Sequence, residues 1–405
     1  MTTDVLRPYH AAMHSELESI AAKVRDGERL SAADGLTMLR TRDVWTLGEL
    51  AHLVRTQRHG RTAYYNINRH INYTNLCALS CKFCSFYRKK DDARGGIYEM
   101  PVEEVVQQAK AAAAGGATEV HIVGGLHPWL PFSYYTDMLA GIRAAAPQLH
   151  IKAFTAVEIV HLARISKRPR NLDAVLADLK AAGLGSLPGG GAEVFDDRVH
   201  DEAFKGKIRS DQWLDVHRTA HHLGLMSNAT ILYGHIESLE DRVHHLCMLR
   251  DAQDQAKREG YAGRFQTCIP LPFVPDDSEL QHLPGPSGLD DLKMLAISRL
   301  MLDNFDHIKA FWIMQTLPLS QLSLSFGVDD IDGTVVWYDI TKVGGSNTHQ
   351  EVDVSALRRS VRDAGYVPVE RDTLYRTVVR DGATWRLADA AAPPDAPAPT
   401  LASSR

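Results

Sequence analysis

The chain of 405 residues has only five cysteines and no long apolar run. So few cysteines cannot build a disulfide framework in a chain of this size, which points to a reducing, cytoplasmic setting. No stretch approaches the roughly 18 apolar residues needed to cross a bilayer, so no membrane span is expected. The start, Met1-Thr-Thr-Asp-Val-Leu-Arg7, lacks a basic segment followed by an apolar one, so no secretory leader is expected. An excess of positive charge is missing too: 45 Lys and Arg against 50 Asp and Glu give a net charge of −5. That balance excludes a global field drawing the chain to nucleic acid, and the basic run Lys167-Arg-Pro-Arg170 reads as a solvated loop. At 44% hydrophobic and 23% charged, the composition is that of a globular protein with a large core.

Three of the five cysteines sit within eight residues, as Cys77, Cys81 and Cys84. The spacing is C-x3-C-x2-C. Three thiolates on one loop can hold three irons of a four-iron cluster and leave the fourth iron open for chemistry. The rival reading is a zinc knuckle closed by Cys247, Cys268 or a histidine, because a structural zinc site takes four ligands.

The first sixty residues read as helices with apolar positions three and four apart, and Ser31 is a candidate N-cap. From about residue 65, short apolar runs alternate with amphipathic helices. Strands are expected at 66–72, 119–123, 150–154, 185–187, 227–232, 265–270, 308–314 and 322–328. Helices are expected at 102–114, 172–182 and 211–222, the last two closed by Gly183 and Gly224. Eight such units predict an α/β fold, a (β/α)8 TIM-type barrel. A six-strand partial barrel follows if the last two strands are misread. The expected organisation is a helical region at 1–62, the barrel at 63–344, a C-terminal extension at 345–389 and a disordered Pro- and Ala-rich tail at 390–405. Unusual residues fall just after the strands, on the face where barrel enzymes build active sites.

The cysteine loop, with the aromatic Phe83 before its last cysteine, resembles the signature of the radical S-adenosylmethionine (SAM) superfamily. Its flanks, Asn68-Arg-His-Ile-Asn-Tyr-Thr-Asn75 and Ser85-Phe-Tyr-Arg88, resemble the branch that handles menaquinone and deazaflavin precursors. Within it, His121-Ile-Val-Gly-Gly-Leu-His-Pro128, Ile151-Lys-Ala-Phe-Thr-Ala-Val-Glu-Ile159 and Leu187-Pro-Gly-Gly-Gly-Ala-Glu193 are similar to the aminofutalosine synthase family. The likeness runs from about Tyr65 to about Tyr375. It implies a [4Fe–4S] cluster on Cys77, Cys81 and Cys84, SAM as co-substrate, and a one-electron donor such as flavodoxin or ferredoxin. It also implies that the SAM amino group approaches Gly124 and Gly125.

Position alone nominates further residues. Glu158, Glu193 and Glu237 end strand segments, where carboxylates can hold ribose hydroxyls or the sulfonium end of SAM. Thr155 and Asn228 are candidate polar contacts, and Gly189-Gly-Gly191 can cradle an anion or make room for a ligand. His127 and His235 are candidates for substrate carboxylates or proton transfer. His217 and His221 lack a His-Glu-x-x-His pattern and read as ordinary helix residues. Cys247 and Cys268 read as buried thiols. In Ile308-Lys-Ala-Phe-Trp-Ile-Met314 the apolar groups read as barrel core, with one of them free to line a pocket. Two other functions compete: a sibling of the same branch, similar to the cyclic dehypoxanthinyl futalosine synthases or the deazaflavin-forming enzymes, that releases free 5′-deoxyadenosine, and a non-enzymatic iron–sulfur or zinc protein.

Overall fold

In the computed structural model of the chain, the structure describes residues 6–335 and 351–388. The expected boundary at 344 and the expected tail at 390–405 lie outside them. Ten strands make one curled sheet: β1 (Thr62–Tyr65), β2 (Asn68–Ile71), β3 (Glu119–Ile122), β4 (His150–Ala153), β5 (Ser186–Leu187), β6 (Met226–Tyr233), β7 (Phe265–Pro272), β8 (His307–Ala310), β9 (Asp330–Ile331) and β10 (Val367–Glu370). Their spatial order is β10-β1-β9-β8-β7-β6-β5-β4-β3-β2, and every ladder is parallel. From β2 to β9, neighbours in space are neighbours in sequence, as repeated βα units require. A separate antiparallel hairpin, β11 (Val378–Asp381) and β12 (Thr384–Leu387), follows.

The sheet curls until β2 meets the segment just past β9. Side chains hold this seam. The Asn68 amide donates to Thr334 Oγ1 at 3.2 Å, Thr334 Oγ1 donates to the Asn68 carbonyl at 2.9 Å, and the Val335 amide donates to Asn68 Oδ1 at 2.7 Å. A Cβ at Gly333 would lie 2.0 Å from the Asn66 carbonyl oxygen, so only glycine lets the two segments touch.

The barrel expectation holds, with corrections at its closing strands. The expected strand at 322–328 is a helix, Leu317–Ser323, followed by a 3₁₀ turn, Leu324–Phe326. Thr316 caps that helix by accepting from the Leu319 amide, with a proline in its first turn. A short apolar run does not distinguish a strand from a buried helix, which is why the period misled. The seventh expected strand stops at Ala310, and Trp312–Gln315 is a helical turn. The two-residue β9 and the unforeseen β1 complete the sheet instead.

Helices cover the outer face. Val120 and Ile122 of β3 and Ile151 and Ala153 of β4 are buried against the helices Val102–Ala114, Phe132–Ala145 and Leu172–Ala182. The alternate positions, Glu119, His121 and Lys152, point into the barrel, as strand period demands. The N-terminal helices Ala32–Arg40 and Val44–His59 pack on the barrel, with Gly48 against the ring of Phe326. Ser31 caps the first of them in a reciprocal box with Asp34. No helix among the described residues is long and apolar enough to cross a membrane.

Candidate active site

A cavity of about 290 Å³ opens at the carboxyl end of the strands. Its rim is the cysteine loop after β2. Cys77, Cys81 and Cys84 all line it, with Phe83 between them. The loop is held from behind by its flanks. Lys89 Nζ donates to the carbonyls of Cys77 and Leu79 at 2.9 and 2.8 Å. Arg88 Nη1 donates to the carbonyls of Ser85 and Tyr87, and the Asn75 side chain clamps Gly96 and Tyr98. The Leu126 amide points at Cys77 Sγ, 3.4 Å away.

The donor set fits a cluster rather than a single ion. A lone tetrahedral zinc with bonds of ~2.3 Å draws its thiolates to roughly 3.8 Å apart. Among the described residues, the three donors that lie within 4.8 Å of one another are those of His59, His307 and Asp329, not the cysteines. That histidine set sits at the opposite end of the barrel, where the buried Arg299 guanidinium already pairs with Asp329. Burial pushes the Cys81 thiol up to about 12 and also raises Cys84, so loading metal must displace protons from both.

Gly124 and Gly125 line the cavity next to this loop, but the reason for glycine lies beneath them. A Cβ at Gly125 would sit 2.2 Å from the Leu76 carbonyl oxygen, and one at Gly124 would sit 2.7 Å from the Tyr73 ring. The pair lets the cysteine loop lie flat on the strand end. Glu158 locks the same junction. Its Oε1 accepts from Tyr73 Oη at 2.9 Å and the Gly124 amide at 3.1 Å. Its Oε2 accepts from the Thr155 amide and hydroxyl at 2.7 and 2.8 Å, and Thr155 caps the helix Ala156–Ile165 in return. Glu158 and Thr155 both line the cavity, with their polar atoms bonded to each other and to the loop. Burial raises Glu158 to about 7.

Glu193 lines the opposite wall with a left-handed backbone, φ 46°. It pairs with Lys207, which sequence reading missed. The Lys207 ammonium lies 5.1 Å over the Phe83 ring and lines the cavity beside the cysteines. Burial opposes its charge, but Glu193 and Cys81 outweigh burial and raise its pKa. Gly189, Gly190, Gly191 and Asn228 also line the cavity.

Below the rim the wall turns apolar, through Val123, Leu232, Ile269, Leu271, Phe311 and Met314. At the floor lie His70, His121, Lys152, Lys309 and Asp332. His70, His121 and Lys152 form one row, paired in register across β2, β3 and β4. On β3 and β4 their signal in the sequence was alternation, Glu119-Val-His-Ile122 and His150-Ile-Lys-Ala153, which puts polar side chains on one face.

Three expected residues lie away from the cavity. Glu237 is spent on the Gly234 and His235 amides, at 2.6 and 2.9 Å, and on Arg242. His235 bonds the Leu232 carbonyl, and His127 accepts from the Trp129 and Leu130 amides and contacts Glu99 at 2.5 Å. His217 and His221 both bond Ser227 Oγ. Cys268 is fully buried on β7 and Cys247 half-buried on a helix.

A three-cysteine loop over the carboxyl end of a curled parallel barrel defines a radical SAM enzyme, the class that uses a [4Fe–4S] cluster and SAM. Comparison with known proteins agrees. The radical SAM superfamily matches residues 71–249, and the CofH/MqnC C-terminal region matches residues 262–381. Methylornithine synthase (PylB) shares the fold with a TM-score of 0.66 at 18% identity, covering 86% of this chain and 96% of that one. The FeFe-hydrogenase maturase HydG of Carboxydothermus hydrogenoformans gives 0.68 at 17%, covering 92% and 83%. Aminodeoxyfutalosine synthase of Thermus thermophilus is 44% identical over 89% of this chain and 95% of its own. That of Streptomyces coelicolor is 41% identical over 90% and 94%. The 5-amino-6-(D-ribitylamino)uracil–L-tyrosine 4-hydroxyphenyl transferase of Archaeoglobus fulgidus is 36% identical over 80% and 92%. The chain belongs to the radical SAM superfamily and, within it, to the family of the aminodeoxyfutalosine synthases.

Proposed function

We propose that this enzyme joins the 5′-deoxyadenosyl group of SAM to 3-[(1-carboxyvinyl)oxy]benzoate. The products are 6-amino-6-deoxyfutalosine, methionine and bicarbonate, a step of menaquinone biosynthesis. The observation that carries this reading is the 44% identity to the Thermus synthase along nearly its whole length.

Cys77, Cys81 and Cys84 would hold three irons of the cluster, and the glycines and Asn228 at the rim would face SAM. A cluster held there would supply the one-electron reduction that cleaves SAM. The electron comes from a small donor such as flavodoxin or ferredoxin. Overall, SAM, the enol ether and one water would give aminofutalosine, methionine, bicarbonate and a proton, with no net reductant consumed. The chain's own work is positional. Lys89, Arg88 and Glu158 fix the loop, and the apolar wall keeps water from the reacting carbons. The cytoplasm is the proposed compartment.

The archaeal relatives support a second reading, a deazaflavin-forming transferase. The two separate in one anaerobic assay read by mass spectrometry. Offered both 3-[(1-carboxyvinyl)oxy]benzoate and a mixture of tyrosine with the ribitylaminouracil, the enzyme is expected to make aminofutalosine from the first. Turnover of the second set alone would overturn the proposal.

A further inference from the structure

The floor of the cavity carries a feature that the cysteine rim does not explain. Lys152 and Lys309 are buried there, each only 2–3% exposed, on β4 and β8. An ammonium has three donors. Among the described residues, Lys152 spends one, on Glu119 at 2.5 Å. Lys309 spends one, on Asp332 at 3.0 Å, and stands 3.7 Å from Asp330.

The partner carboxylates are also bonded from below by the segment after β10. Thr373 donates to Glu119 at 2.6 Å, while Arg371 and Tyr375 donate to Asp330 at 2.5 and 2.6 Å. Glu119, Asp330 and Asp332 balance the charges of Lys152, Lys309 and Arg371 one for one, so what the two lysines offer the open cavity is unspent N–H donors rather than net charge. Burial holds Lys152 below its ordinary pKa, with Glu119 and Asp332 opposing that shift and Lys309 adding to it. A ligand carboxylate at this floor accepts from donors that the protein leaves unspent.

We propose that Lys152 and Lys309 form a carboxylate-binding subsite that anchors the aromatic acid end of the substrate. The orientation follows from the geometry and rests on the function proposed above. The reacting double bond must meet SAM at the rim, so the benzoate end points down the apolar shaft to the lysines. An apolar shaft ending in two buried cations fits an aromatic acid, whereas a neutral ring would leave those donors unpaired.

The test is equilibrium binding to the reconstituted full-length protein, measured by calorimetry with 3-hydroxybenzoate and its neutral analogue 3-hydroxybenzamide. The acid is expected to bind at least about tenfold tighter, the scale of one hydrogen bond to a charged group. Two charge-matched variants, Lys152→Met with Glu119→Gln and Lys309→Met with Asp332→Asn, are expected to erase that preference. Iron content and cluster absorbance report whether each variant folds. Equal affinity for acid and amide, or a cluster-loaded variant that keeps the preference, overturns the subsite. If both variants fail to fold, the wild-type comparison decides alone. Turnover is scored separately. A lysine-dependent acid preference without adduct formation keeps the subsite and rejects the substrate. Adduct formation without any preference does the reverse.

Discussion

Gly125→Ala tests how the cysteine loop is supported. The added methyl would lie 2.2 Å from the Leu76 carbonyl oxygen. Heavy atoms do not approach a Cβ closer than 3.0 Å, so the loop must retreat by at least 0.8 Å, the difference between the two distances. The obstacle is backbone, with no rotamer to swing aside. Leu76 precedes Cys77, so the retreat strains the Ala78 to Leu126 hydrogen bond and the amide directed at Cys77 Sγ. Overpacking of this kind costs about 1–3 kcal/mol. Gly190→Ala is the control, because its methyl would meet only the Thr155 Cγ2 methyl at 3.1 Å, a contact a small rotation relieves. The assay is iron and sulfide per chain after anaerobic reconstitution, with denaturant unfolding alongside. Gly125→Ala is expected to lose most of its cluster and Gly190→Ala to keep it. Equal cluster content in the two variants refutes the reasoning.

Replacing Cys77, Cys81 or Cys84 with Ala is expected to abolish the cluster absorbance, while Cys268→Ala keeps it. Iron loss only in the Cys268 variant contradicts the ligand assignment. Lys207→Met leaves Glu193 unpaired in the cavity wall and is expected to cost about 3–5 kcal/mol in denaturant unfolding. Adding Glu193→Gln should recover most of that loss, and no recovery means that the pair is not the cause. Glu158 has a folded pKa of about 7, raised by burial from an ordinary 4.5. Its contribution to stability is therefore full below 4.5 and lost as pH rises through about 7. Relative to Glu158→Gln, the wild type should gain a few kcal/mol between pH 8 and pH 5, at about 1.4 kcal/mol per pKa unit. Parallel stability curves for the two proteins contradict that expectation.

The rim of the site was legible in the sequence and the floor was not. The cysteine spacing is local and chemically distinctive, and the glycines and carboxylates after each strand fall where a barrel puts its active-site face. Their individual roles were harder to read. Glu158 carries a role set by Tyr73, 85 residues away, and nothing local marks that bond. Glu237 stands in a similar position after its strand, yet it turns back onto its own loop. Lys152 and Lys309 line one cavity only because the sheet curls, bringing β4 and β8 across the barrel from each other. The seam was opaque for a related reason, since a two-residue strand has too few positions for any period and the Thr334 side chain pairs with the Asn68 backbone.

The central claim is that the adenosyl group becomes part of the product. Anaerobic turnover with SAM carrying carbon-13 at the 5′ position and 3-[(1-carboxyvinyl)oxy]benzoate tests it directly. The account predicts label in aminofutalosine, with one methionine formed per product. Label recovered in free 5′-deoxyadenosine, with no adduct, would contradict it.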